Sequence, residues 1–296
     1  MPRWNVNFDV KVNTESASLR NSLARVSATA RLSREIPLPP GADRRLNSMN
    51  IMRAVRGTTG LEGADLTEQE VADIIASESE QILPEIRGRE EHEARNANRV
   101  MEYVANNAGE QLTEAHIRNI HRVTTEGIDY TDNIPGVYRS HQNRALTYLP
   151  PETNEEIRQL MTEFISWINS GERLSWDPVI RAVVSHFYVV SIHPFGDGNG
   201  RTSRGVESFI LFGSGINVRG FYSLANFYYR NREEYVRLLD HVRFETQGDL
   251  TPFVQFAVTG LEAELELVHQ EIVDELRWIA FRDFYREQIF SPDGPQ

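Results

Sequence analysis

Residues 191–204 read SIHPFGDGNGRTSR. This short run holds a histidine (His193), a carboxylate (Asp197), the triplet Gly198-Asn199-Gly200, and two arginines three apart, Arg201 and Arg204. Glycine lets a backbone approach a ligand closely and adopt positive φ. The free N–H groups at a helix start, with the dipole behind them, attract anions. Arginines spaced by three share one face of the first helical turns, and their guanidinium forks match phosphate oxygens. Asp197 suits Mg²⁺, which takes one or two protein carboxylates together with phosphate and water. His193 closes the preceding segment and carries the side chain whose ordinary pKa lies nearest neutrality, so it is the candidate general base. Together these residues suggest a polyphosphate on a helix start, a metal beside it and a base facing the incoming nucleophile.

The elements that must hold this loop are legible on both sides of it. PVIRAVVSHFYVVSI (178–192) is apolar nearly all round, which predicts a buried helix. Asp177 would cap it, with Pro178 at its first position. GVESFILF (205–212) is mostly apolar again. Polar groups joining two core helices cost free energy unless something satisfies them, so the loop reads as built around a ligand.

The rest of the chain predicts a mainly α fold. Helices are expected over 17–32 (Leu19, Leu23, Val26, Ala30 at helical spacing), over 44–61 with Gly63 as its stop, and after the Thr67–Glu70 capping box. Further helices are expected over 84–107, 113–127 and 152–171. PLPPG (37–41) reads as a linker. The alternation Trp4, Val6, Phe8, Val10, Val12 predicts an N-terminal strand, and 134–151 a short β-hairpin. The tail 291–296 is expected to fray. Among the histidines, His186 reads as a core residue rather than a metal partner of His193, and His116 and His121 as residues of a helix without special chemistry. The run REEHEAR (89–95) reads as a solvated helix face with local ion pairs.

Composition excludes several alternatives. The chain has 296 residues, a net charge of -12 and no cysteine. Thiol nucleophiles, disulfides and thiolate metal sites are therefore absent. The acidic balance argues against nucleic acid and against an anionic membrane surface as partners. Lys11 is the single lysine, so a Walker-type phosphate loop has no lysine to use, and cationic contacts fall to arginine. No apolar run resembles a signal peptide or a membrane span, and a cytoplasmic location is expected.

HPFGDGNGRTSR (193–204) also resembles the Fic family signature, HPFx[D/E]GNGRxxR, at every defined position. PGVYR (135–139) with LPPE (149–152) is similar to the family's flap and the segment after it, QGDLTPFVQF (247–256) to the segment closing its core, and TTGLEG (58–63) to its inhibitory motif, [S/T]xxxE[G/N]. The resemblance spans roughly residues 45 to 265. It implies a helical bundle with a short hairpin flap, divided into an N-terminal extension (1–43), an inhibitory helix (44–66), a catalytic core (67–265) and a C-terminal helix and tail (266–296). It implies transfer of AMP from ATP, with Mg²⁺, to a Ser, Thr or Tyr hydroxyl of a target protein that docks at the 135–146 flap, or of the chain itself.

In that scheme His193 is the base and Asp197 the metal ligand. Gly198, Asn199, Gly200 and Arg201 form an anion hole that includes the Asn199 side chain. Arg201 takes the β-phosphate, Arg204 the γ-phosphate, and Phe195 anchors the loop. Thr58, Glu62 and Gly63 form the inhibitory motif, Glu62 competing with the γ-phosphate for Arg204. Tyr235 is the expected base-pocket residue, although Tyr228 and Tyr229 offer an earlier tyrosine pair. Two further readings stay open: removal of AMP on the same fold, and a non-enzymatic nucleotide-sensing module. A homo-oligomer is compatible with the sequence.

Overall fold

The computed structural model describes residues 1–77, 85–145, 147–216 and 224–290, so the expectation for the tail at 291–296 lies outside the described residues. The chain is mainly α. In order, its helices are α1 (Ala17–Glu35), α2 (Pro40–Gly60), α3 (Glu68–Ala76), α4 (Glu85–Asn106), α5 (Glu114–Thr125) and α6 (Asn154–Ile168). There follow α7 (Gly171–Leu174), α8 (Pro178–Ile192), α9 (Asn199–Gly213), α10 (Ala225–Arg230), α11 (Arg232–Phe244) and α12 (Thr251–Phe290).

The two apolar segments flanking the polar loop form the centre. Asp177 caps α8 by accepting from the Val179 N–H at 2.8 Å, with Pro178 in the first turn. Val183, Phe187 and Ile192 of α8 are buried, as are Val206, Phe209 and Ile210 of α9, and the two helices pack against each other. Helices α4 and α5 lie against α9, while α6 and α12 lie against α8. Leu19, Val26 and Ala30 of α1 are buried, and α1 packs along α12. Helix α12 runs unbroken through residues 265 and 266. Burial of these stripes, at about 25 cal/mol per Å² of apolar surface, is the main force holding the helices in place.

Three local expectations are corrected. The PLPPG segment is not wholly a linker: Pro39 and Pro40 open α2 from within it, where proline's fixed φ is already helical. Residues 4–12 are extended but form no strand ladder among the described residues, only an isolated bridge from Lys11 to Asp249. Trp4 is buried and Phe8 stacks on Tyr188 at 4.9 Å, while Asn5, Asn7 and Asp9 are exposed. The period of two thus records one-sided burial against α8. The arm's backbone bonds lie near its ends, where Leu149 N–H donates to Pro2 O and Lys11 N–H to Gly248 O, both at 2.9 Å. The 134–151 segment likewise shows no ladder between its arms among the described residues. Its backbone groups bond elsewhere: Arg139 N–H donates to Pro194 O at 3.0 Å, and Leu149 turns to the N-terminal arm.

Helix α2 approaches α10 closely because Gly57 carries no side chain. A Cβ at Gly57 would lie 2.5 Å from the Asn226 backbone nitrogen. Gly57→Ala is expected to cost about 1–3 kcal/mol of stability through overpacking against backbone, read as a lower urea midpoint with an unchanged m-value.

Candidate active site

The polar loop is held by its own side chains. Helix α8 ends at His193, whose left-handed φ of 52° turns the chain out of the helix. Phe195 N–H donates to Asn199 Oδ1 at 2.9 Å, and Asn199 Nδ2 donates back to Phe195 O at 2.9 Å. The Asn199 side chain thus braces the turn through its oxygen and one of its two N–H donors. Gly198, at φ 71°, precedes α9 and gives it no side-chain cap. The first N–H groups of α9 are thus left for an outside acceptor.

Residues outside the motif fix its position. Phe195 is fully buried and stacks on His121 with ring centroids 3.7 Å apart. His121 Nδ1 accepts from Gly136 N–H at 2.9 Å, which leaves Nε2, 3.0 Å from Asp197 O, as the donor. Burial pushes the His121 pKa down to about 3, consistent with a neutral ring. The expectation that His121 merely lines a helix is corrected: it pins the flap and the loop together. Arg139 does the same from the other side, donating to His193 O (2.9 Å), His141 O (2.8 Å) and Pro151 O (2.6 Å).

His193 faces the cleft. Burial lowers its pKa to about 4, and nearby Arg139 and Arg243 act in the same direction. Its Nδ1 lies 3.3 Å from Val190 O, which leaves the other ring nitrogen for the cleft. Leu61, Glu62, His193, Gly200, Arg204 and Tyr235 line that cleft, with Val236 and Leu239 farther along. Of the tyrosines considered for the base pocket, Tyr235 lines the cleft, whereas Tyr228 is buried behind it and Tyr229 packs on Gly60.

The two arginines have different partners. Arg204 is buried; its Nε donates to Thr58 Oγ1 at 2.8 Å, and its Nη2 to Thr58 O at 3.0 Å and Glu62 Oε1 at 2.6 Å. A Cβ at Gly200 would collide with the same Glu62 oxygen, so this carboxylate lies on the start of α9. Burial opposes ionisation of Glu62, but Arg204, Arg201 and His193 overcome it and hold the carboxyl below its ordinary range. Gly63, at φ 104°, follows the last turn of α2.

Arg201 instead meets Glu93 at 3.1 Å, the Tyr130 hydroxyl at 2.7 Å and Asp197 at 3.4 Å. Glu93 and Glu91 are buried, which corrects the solvated-face reading of residues 89–95. The expected local pairs are present, Arg89 with Glu93 at 3.2 Å and Arg95 with Glu91 at 2.5 Å. Neither Glu93 nor Tyr130 was singled out from sequence. Asn96, three residues after Glu93 on α4, donates to Glu126 O at 2.8 Å, so this face of α4 turns inward, which no local sequence signal marks.

Residues 111–211 match the Fic/DOC family model, and this part of the chain is a Fic domain. The protein adenylyltransferase Fic of Aedes aegypti is 32% identical over 161 residues, which is 54% of this chain and 30% of that protein. The protein of the same name from Drosophila melanogaster is 28% identical over 229 residues, 77% of this chain and 44% of that protein. The chain therefore spans under half the length of these curated relatives. Among solved structures, Fic-1 (residues 134–508) from C. elegans superposes with a TM-score of 0.71 at 25% identity, covering 89% of this chain and 74% of that one. Among the described residues, no helix is long and apolar enough to cross a membrane.

Asn199→Ala would leave two buried backbone groups of Phe195 unpaired. It is expected to cost about 1–3 kcal/mol, measured by urea unfolding, while Asn199→Asp, which keeps the acceptor, should cost less.

Proposed function

We propose that the chain is a protein adenylyltransferase held in an inhibited state by Glu62. The observation that carries this reading is the position of the Glu62 carboxylate: it rests on the start of α9 and bonds Arg204 at 2.6 Å, where the phosphate end of a nucleotide would find both a helix N-terminus and a guanidinium fork. The Fic domain and the relatives named for this activity support the same reaction.

In this scheme the triphosphate lies along Gly198 to Arg204. A neutral imidazole at His193 accepts the proton of the target hydroxyl, the freed oxygen forms a bond to the α-phosphorus, and the bond to the β-phosphate oxygen breaks as pyrophosphate leaves. Arg201 and Arg204 neutralise charge on the phosphate chain, and the helix start holds the oxygens in line. Among the described residues no group of three His, Asp or Glu side chains could cage a metal ion, but the Asp197 side chain is 45% exposed. One open carboxylate fits Mg²⁺ carried mainly by phosphate and water. Bound there, the ion would supply charge neutralisation at the phosphates. The flap offers exposed Ile134 and Val137 for a target protein segment. Glu62 is also close enough to His193 to act on it electrostatically, so the same pair could orient water for removal of AMP from a modified protein.

Incubation with ATP and Mg²⁺ followed by mass spectrometry tests the reaction. Glu62→Gly is expected to raise AMP incorporation about tenfold to a hundredfold, the worth of one charge-assisted hydrogen bond. His193→Ala in that background should lower it by about 10²–10⁴-fold. Unchanged incorporation in Glu62→Gly would remove the inhibitory role, and an activity untouched by His193→Ala would remove the base. Loss of AMP from a pre-modified target, measured with the parent chain, separates the reverse reaction.

The pH dependence follows from the lowered pKa of His193. A base must be unprotonated, and a pKa pushed down to about 4 keeps the ring neutral throughout the range above it. The acid limb of kcat/KM for Glu62→Gly is therefore expected well below the ordinary imidazole value of about 6.5. Since Glu62 acts to raise the His193 pKa, its removal should move the limb no higher.

A further inference from the structure

One buried polar chain has no part in the scheme above. Glu207 on α9 and His186 on α8 are both fully buried. Tyr228 donates its hydroxyl to Glu207 Oε1 at 2.8 Å. Glu207 Oε2 lies 3.4 Å from His186 Nδ1, and neither atom has another hydrogen-bond partner among the described residues. His186 Nε2 is 2.9 Å from the Tyr235 hydroxyl. Tyr235 lines the cleft beside Arg204, whose own bonds in the present state go to Thr58 and Glu62.

The chemistry of the two ends sets the direction of this chain. A carboxylate only accepts, and a guanidinium only donates. Facing Glu207, His186 must carry its proton on Nδ1. A neutral ring then presents Nε2 as an acceptor, and the Tyr235 hydroxyl donates into it. The lone pairs of the phenol oxygen are left for Arg204. Each donor then meets an acceptor from Tyr235 through His186 to Glu207, and the phenol oxygen keeps acceptor capacity at the cleft where Arg204 stands. With a proton on Nε2, the Tyr235 O–H would instead turn toward a cation that has only donors.

We infer that Glu207 and His186 are positioning residues that hold the Tyr235 hydroxyl as an acceptor for Arg204, keeping that guanidinium aimed into the cleft. In the present state Thr58 and Glu62 hold Arg204, both from α2 and its end. If α2 withdraws, those contacts leave together, whereas Tyr235 stays behind on α11. The chain through Glu207 therefore matters most in the released form. This inference rests on the nucleotide reading given above.

Glu207→Gln is the discriminating variant, because a glutamine of the same shape can donate to His186 Nδ1 and reverse the chain. Nitrogen NMR of the full chain reads the tautomer directly. The expected result is a proton on Nδ1 alone in the parent and on Nε2 in Glu207→Gln; a parent ring protonated on Nε2, or on both nitrogens, overturns the inference. The second readout is ATP affinity in the Glu62→Gly background, by calorimetry without turnover. Adding Glu207→Gln is expected to weaken ATP binding about threefold to tenfold, the worth of one hydrogen bond. Tyr235→Phe should do the same, and the two together should be no weaker than Tyr235→Phe alone. Unchanged affinity in both variants, or losses that simply add, would overturn it. Should Glu207→Gln fail to fold, Tyr235→Phe and the parent tautomer still decide the question. Failure of Glu62→Gly itself to bind ATP would sink the nucleotide reading instead, and the tautomer measurement would still judge the chain.

Discussion

A carboxylate and a guanidinium meet at the start of α9, and the rest of the site is arranged around that contact. Glu62 and Arg204 lie 142 positions apart in sequence, yet their side chains approach to 2.6 Å. A buried guanidinium is costly without an acceptor, and an uncapped helix start attracts negative charge. One carboxylate satisfies both. It does so from the turn that follows α2, a helix whose last turns approach α10 closely through Gly57 and Gly60.

The loop beneath this contact is held by hydrogen bonds from the protein's own side chains. Asn199 closes on Phe195, His121 joins Gly136 to Asp197, and Arg139 ties His193 to both ends of the flap. Groups that need no rearrangement when a reaction begins lower its barrier more than groups that must first be ordered. The same bracing explains why His193 keeps a left-handed backbone: its carbonyl is claimed by Arg139.

The two arginines of the motif are balanced differently, and exposure tells them apart. The Glu93 side chain, opposite Arg201, is 7% exposed and lies inside the α4–α9 packing, whereas that of Glu62, opposite Arg204, is 35% exposed at a helix end. Withdrawing Glu93 would unpack a core helix. Withdrawing Glu62 needs only the last turn of α2 to move. The first pairing is therefore part of the core packing, and the second, at a helix end, is the easier of the two to open.

Much of the site was legible because its residues are close in sequence. His193, Asp197, Gly198 and Gly200 are related by one turn of chain, and the spacing of Arg201 and Arg204 follows from helical geometry, so their chemistry could be read from short-range order. Helices with strong apolar periodicity, such as α8, were legible for the same reason. Residues 4–12 misled because a period of two reports which side of a chain is buried, and burial on a helix produces it as readily as pairing in a sheet; residues 134–151 misled because turn residues around β-formers also suit a segment whose backbone bonds go to other parts of the chain. His121, Arg139, Glu93 and Tyr130 were not legible at all, since nothing local marks a side chain whose partner lies far along the chain. The amino-acid order by itself thus determined the helices, the reactive loop and the candidate inhibitory motif. Only tertiary packing decided which carboxylate reached which arginine, because that choice is made by helix faces meeting across the core and not by any spacing along the chain.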